Sequence, residues 1–246
     1  FTQTIDGHGQ QQVSHTRSQP HDLPVVPTLT ETGQHLTLDL EFPGRILKVR
    51  VWTARAGHIT LYLLDTNLPE NSPEDRAIIH QLYGGDREMR LQQELVLGVG
   101  GVRALRELGL SATVWHINEG HAAFQLLERC AFRMRQGLDV YAAMELVAAG
   151  TVFTTHTPVP AGHDIFERHL VEKYLGPSVR DLGLDFEQVY RLGLNSGGGF
   201  NMTCLALRCT RFHNGVSRIH GQVAAQMEAR LWPQVPYQEN PITYVT

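Results

Sequence analysis

A change of hydrophobic period a third of the way along the chain most constrains its fold. Leu36-Thr-Leu-Asp-Leu-Glu-Phe42 and Ile46-Leu-Lys-Val-Arg-Val-Trp52 alternate apolar and polar residues, as half-buried strands do. Together with Ile59 to Leu64 they predict three strands, at 36–42, 46–54 and 59–64. Pro43-Gly44 and Ala56-Gly57 punctuate them as turns, which gives an antiparallel meander with one wet face. A polar loop covers Asp65 to Pro73. From Arg87 onward the spacing becomes helical, with Met89, Leu91, Leu95, Val96, Val99, Val102, Leu105 and Leu108 on one stripe. Gly98, Gly100 and Gly101 weaken that stripe, and Gly109 ends it.

Two strand-like runs follow, Ala112 to Trp115 and Thr151 to Phe153, each leading into a polar cluster. The first cluster is His116-Ile-Asn-Glu-Gly-His121; the second runs from Thr154 through His156 and Pro158 to His163-Asp164. Helical segments at 120–136 and 139–149 lie between them, so strand, helix, helix and strand imply a parallel α/β core. Further helices are expected at 165–175, 185–192, 200–212 and 216–231. Asn214-Gly215 reads as the turn joining the last two. Asn195-Ser-Gly-Gly-Gly199 lacks a preceding strand and a Gly-Lys-Ser/Thr ending, so it reads as a flexible joint and not a phosphate loop. Residues 1–24, rich in Gln, His and Ser, read as a mobile tail, and 25–246 as one partial α/β lobe.

Open α/β sheets bind ligands beyond the carboxyl ends of their strands. Asn118, Glu119, His121 and His156 are therefore the candidate site residues, suited to a polyhydroxylated ligand. In this reading Asn118, Glu119 and His121 also cap a helix start, and Gly120 lets a ligand approach the backbone. His163 and Asp164 read as caps of the following helix, on a loop stiffened by Pro158 and Pro160. A metal site built on His116, Glu119 and His121, joined by His156 or His163, is disfavoured because the spacing differs from helical HExxH.

The net charge of −4 offers no footprint for nucleic acid or an anionic membrane, and no apolar run approaches the ~20 residues of a membrane helix. Three cysteines, Cys130, Cys204 and Cys209, form no CxxC pair, which fits a reducing, cytoplasmic setting. Only Lys48 and Lys173 are lysines; the remaining basic residues are arginines.

Several segments, in order, resemble the α-glucan (glycogen or maltodextrin) phosphorylases, particularly the short bacterial type. They are Leu61-Tyr-Leu-Leu-Asp-Thr-Asn67, Leu82-Tyr-Gly-Gly-Asp86, Arg90-Leu-Gln-Gln-Glu94, Leu97-Gly-Val-Gly-Gly101, His116 to Phe124, Thr154 to Asp164, Phe200 to Arg208 and Asn214 to Gly221. The resemblance spans roughly Leu23 to Thr246. It implies a two-lobed glycosyltransferase of Rossmann-like domains, of which this chain resembles part of the N-terminal lobe only. It also implies retaining phosphorolysis of α-1,4-glucan by phosphate to glucose 1-phosphate, with pyridoxal phosphate as cofactor. By the same resemblance His156 contacts the 6-hydroxyl side of the transferred glucosyl unit. Glu119 and His121 lie toward the glucan, with Asn118 as their neighbour. The family's cofactor lysine and phosphate-holding basic residues belong to a C-terminal lobe absent from this chain, and its early glycine-rich loop has no equivalent here. The chain is thus expected to supply the glucan-facing half of the site, to hold no catalytic residue and to be inactive alone. The alternatives are a stand-alone, non-catalytic glucan-binding or vestigial protein, and a metal-dependent hydrolase using His116, His121 and His156.

Overall fold

A computed structural model describes residues 2–14, 20–81, 84–158 and 162–246. Leu82 and Tyr83 of the Leu82–Asp86 motif, and Val159, Pro160 and Ala161 of the second polar cluster, lie outside the described residues. Two compact units are present: residues 1–41 with 46–93, and residues 42–45 with 94–246.

In the first unit, strand β1 (Thr2–Ile5) pairs antiparallel with β2 (Gln11–Ser14). Secondary structure thus lies inside the segment whose composition showed no periodicity. The Asp6 carboxylate accepts the backbone N–H groups of His8 and Gln10 at 2.9 Å each, closing the hairpin as an Asx-type turn. A sheet follows, made of β3 (Val25–Pro27), β4 (Thr37–Phe42), β5 (Arg45–Ala56) and β6 (Ile59–Asp65). Both β4 and β6 pair with β5, as the alternation predicts. Leu38, Leu40, Leu47, Val49 and Val51 are buried on one face. On the other face Lys48 Nζ donates to Asp39 at 2.7 Å. The turns need a positive φ at Gly44 and Gly57, and both adopt one (72° and 61°). After the 66–72 loop, Ser72 caps the short helix α1 (Pro73–Arg76), with Pro73 in its first turn. Helix α2 (Arg87–Leu95) then carries the chain into the second unit.

There α2 continues as a π turn, Val96–Gly100, into α3 (Gly101–Glu107). Gly98 explains the disturbance of the stripe: a Cβ there would lie 2.9 Å from both Gln125 N and Phe124 Cβ. The sheet of this unit has four parallel strands: β7 (Trp115–Asn118), β8 (Thr151–Thr155), and two more near the end of the chain. Helices α4 (Phe124–Arg135) and α5 (Val140–Ala149, capped by Asp139) cross from β7 to β8. A two-residue ladder of β9 (Ile165–Phe166) and β10 (Phe200–Asn201) brackets α6 (Arg168–Asp181) and α7 (Phe186–Gly193). Helix α8 (Met202–Cys209) leads to β11 (Phe212–Gly215), and α9 (Arg218–Met227) to β12 (Ile242–Tyr244).

Several expectations change. Asn214-Gly215 is not a helix–helix turn: it ends β11, in parallel register with Thr154-Thr155 of β8. Phe212–Gly215 is too short and polar to show a strand pattern. Strand β7 starts at Trp115, so His116 and Asn118 lie inside it and Ala112–Val114 does not. Helix α6 starts at Arg168 with Glu167 at its N-cap, so His163 and Asp164 do not cap it. Asn195–Gly199 forms a tight reversal between α7 and β10, with Asn195 Oδ1 accepting from Gly197 and Gly199 N–H at 2.9 and 3.0 Å. The strands follow chain order across the sheet, so these four contain no topological switch point.

Candidate functional site

The carboxyl ends of β7 and β8 bring Asn118, Glu119 and His156 together. Asn118 is the last residue of β7, and Glu119 follows with φ 68° and ψ 170°. It is the one non-glycine with positive φ among the described residues, in a region of backbone space that is essentially glycine's. This conformation points the Glu119 N–H at Thr154 O (2.9 Å) and its carboxylate across to the neighbouring strand end. There Oε2 accepts the backbone N–H of His156 at 2.7 Å. The His156 ring donates through Nε2 to Asn118 Oδ1. Glu119 is buried, while Asn118 and His156 are exposed. Glu119 thus fixes the backbone of the segment whose imidazole faces solvent. Its side chain makes no cap of the short 3₁₀ turn Gly120–Ala122, contrary to expectation.

Gly120 also has a different role from the one expected. A Cβ there would sit 3.1 Å from Met202 Cβ and 3.3 Å from Thr203 N, so its smallness admits the start of α8 and not a ligand. Behind the site a polar ladder crosses three strands. Thr154 Oγ1 donates to Asn214 Oδ1 at 3.0 Å, and His116 Nε2 lies 2.7 Å from the same hydroxyl. A hydroxyl has one proton to give, so His116 is the donor to Thr154.

His121 turns to partners other than those of His156. Its Nδ1 is 3.3 Å from Asp164 Oδ2 and 3.6 Å from Glu94 Oε1. The hydrogen bond that His121 donates to Asp164, then that to Glu94, raises its pKa to about 9. Burial, reinforced by Asp164, raises Glu94 to about 8. His121 therefore favours its protonated form against Asp164, while Glu94 holds a proton more readily than an ordinary carboxyl. The histidines of the metal reading therefore turn to different partners: His116 to Thr154, His156 to Asn118 and His121 to the two acids. Among the described residues the donor group compact enough for a cation is Glu94, His121 and Asp164, within 4.8 Å of one another. Sequence spacing did not find it, because Glu94 sits on α2 and Asp164 just before β9. Thr154 and Asn214 were missed as well.

No family model matches the chain. It is 41% identical over its full length to a maltodextrin phosphorylase of Thermococcus litoralis, covering 29% of that protein. Identity is 36% to a glycogen phosphorylase of Mycobacterium tuberculosis, again over the whole chain and 30% of the relative. A glycogen phosphorylase of Aquifex aeolicus is 35% identical over 99% of the chain and 35% of its own length. These matches give the class: the chain is homologous throughout to the maltodextrin and glycogen phosphorylases. It corresponds to a segment of them, spanning about a third of the length of the curated relatives it matches.

Proposed function

We propose that residues 25–246 form part of the Rossmann-like N-terminal lobe of an α-1,4-glucan phosphorylase and supply the glucan-facing wall of its site. The supporting observation is a match of 35–41% identity over 99–100% of the chain, which takes in the ends of β7 and β8. There Asn118 and His156 present an amide and an imidazole to solvent, groups suited to sugar hydroxyls. Glu119 holds His156 through its backbone, and His121, charged at neutral pH, offers a donor from the adjoining turn. Such positioning aids a reaction by fixing geometry before chemistry begins.

Pyridoxal phosphate would supply an acid–base phosphate in the whole enzyme. The lysines here do not fit its anchorage: Lys48 is held by Asp39 on an exposed sheet face, and Lys173 lies exposed on α6 over the Tyr174 ring. A cofactor Schiff base needs a lysine in a pocket. The chain by itself is then inactive. Its partners are glucan, phosphate and a cofactor-bearing lobe, in the cytoplasm. Among the described residues no helix is long and apolar enough to cross a membrane.

The test is phosphorolysis by the complete reading frame containing these residues. Glucose 1-phosphate should form from maltodextrin and phosphate. His156→Ala should lower kcat/KM roughly 5- to 150-fold, the equivalent of about 1–3 kcal/mol for unpaired substrate hydroxyls, with an unchanged circular dichroism spectrum. A fully active His156→Ala enzyme would refute the assignment.

A further inference from the structure

At the opposite end of the parallel sheet, beside the first residues of β7 and β8, lies a cavity of about 480 Å³, within the size range of small-molecule pockets. Its walls carry three guanidinium groups, from Arg106, Arg129 and Arg133, together with the rings of Trp115 and Phe132 and the side chain of Leu146. No carboxylate is among the lining residues.

Arg129 is the informative member. Its guanidinium stacks over the Trp115 ring, 4.4 Å from the centroid. It donates to Thr151 Oγ1 at 2.8 Å, Gln125 Oε1 at 3.4 Å and Val147 O at 3.5 Å, all of them neutral acceptors. Burial, with a smaller push from Arg133, lowers its pKa to about 10, so it remains charged at neutral pH. A partly desolvated cation with only dipoles around it is costly, and a counter-charge removes that cost. The neighbouring arginines differ. Arg106 Nη1 lies 3.6 Å from Glu128 Oε1, whereas Arg133 donates to Gln136 Oε1 at 2.9 Å and retains its net charge. Half-buried Arg129 and solvent-exposed Arg133, on walls that carry no carboxylate, match an anionic head on an apolar body, because the guanidinium fork fits the oxygens of phosphate or carboxylate.

We infer that this cavity binds a small organic oxyanion, its charged head between Arg129 and Arg133 and its apolar body against Phe132 and Leu146. The site is separate from the strand ends assigned to glucan, and it stands whether or not that assignment holds.

Titration of the 246-residue chain, followed through the Trp115 indole N–H signal, tests it with phenyl phosphate, benzoate, inorganic phosphate and phenol. Phenyl phosphate or benzoate should give saturable shifts, and the tighter of the two identifies the head group. Inorganic phosphate should bind about tenfold more weakly than phenyl phosphate, and phenol should not saturate. Arg133→Gln should weaken the better ligand about tenfold. Its exposed side chain donates to neighbouring Gln136 and lies over the Phe132 ring at 5.8 Å, so the fold survives the change; Arg129→Gln, which also removes struts to α5 and β8, serves as a second variant with its Tm recorded. Absence of saturation by either oxyanion, equal binding of phenol, inorganic phosphate as tight as phenyl phosphate, or indifference to Arg133→Gln would overturn the inference.

Discussion

Replacing Glu119 by glycine and by alanine separates the two things that residue does. Its carboxylate accepts the His156 N–H at 2.7 Å, and a charge-assisted bond of this kind is worth about 1.5–3 kcal/mol. Both variants lose that bond, so both should be less stable than the parent. They differ in the backbone. At φ 68° and ψ 170° any residue with a Cβ carries strain of about 1–3 kcal/mol, and alanine keeps that strain. Glycine relieves it, at a chain-entropy cost of about 0.5–1 kcal/mol. The Gly variant should therefore be about 1 kcal/mol more stable than the Ala variant, inverting the usual order. For a chain of this size that is a Tm higher by about 2–4 °C. Thermal and urea unfolding monitored by circular dichroism read the difference directly. An Ala variant equal to or more stable than the Gly variant would mean that the Glu119 backbone is unstrained, and the account of how the strand ends are clamped would fail.

Asp65 should set an acid limb of stability. Burial alone would raise its pKa, but the bonds it accepts from Asn67 N–H, Arg50 and Trp52 outweigh that and lower it. Its contribution is thus present above the unfolded carboxylate pKa of about 3.9 and is lost as pH falls through the lower folded value. Asp65→Asn should flatten a Tm profile between pH 5 and pH 2, and an unchanged slope would contradict this. His121 should titrate near pH 9 by nuclear magnetic resonance. The stability it contributes is complete below its unfolded pKa of about 6.5 and fades as pH rises through the folded value. Asp164→Asn should bring the titration down toward that unfolded value, and no movement would exclude the Asp164 bond as its main cause. The purified chain mixed with pyridoxal phosphate should show no internal-aldimine absorbance and release no glucose 1-phosphate; either signal above a heat-killed control would place a cofactor site within these residues.

How legible the chain was depended on whether an element buries one face or two. β4 and β5 each keep one wet face, so Leu38, Leu40, Leu47 and Val49 alternate with polar neighbours and the meander could be read directly. β11 lies inside the parallel sheet and has four residues, of which His213 and Asn214 are polar. Buried His213 turns its Nε2 to Thr210 O at 2.9 Å, a contact no periodicity announces. Asn118 and His156 were found because each ends or follows a strand, and parallel neighbours bring such ends together. The pairing of His121 with Glu94 and Asp164 was not legible, because those carboxylates lie on elements whose packing is decided by the fold. Gly98 and Gly120 carried a signal that was only half readable. Each marks a close approach, but the sequence does not say whether helix or ligand is approaching.

The central claim, that the ends of β7 and β8 face a glucan, is tested most directly by titrating the isotope-labelled chain with a maltodextrin and mapping its amide and imidazole signals. The account predicts saturable, localised changes at Asn118, Glu119, His121 and His156, reduced by His156→Ala without a change of fold. Saturable binding mapped elsewhere, with those four residues unmoved, would contradict it.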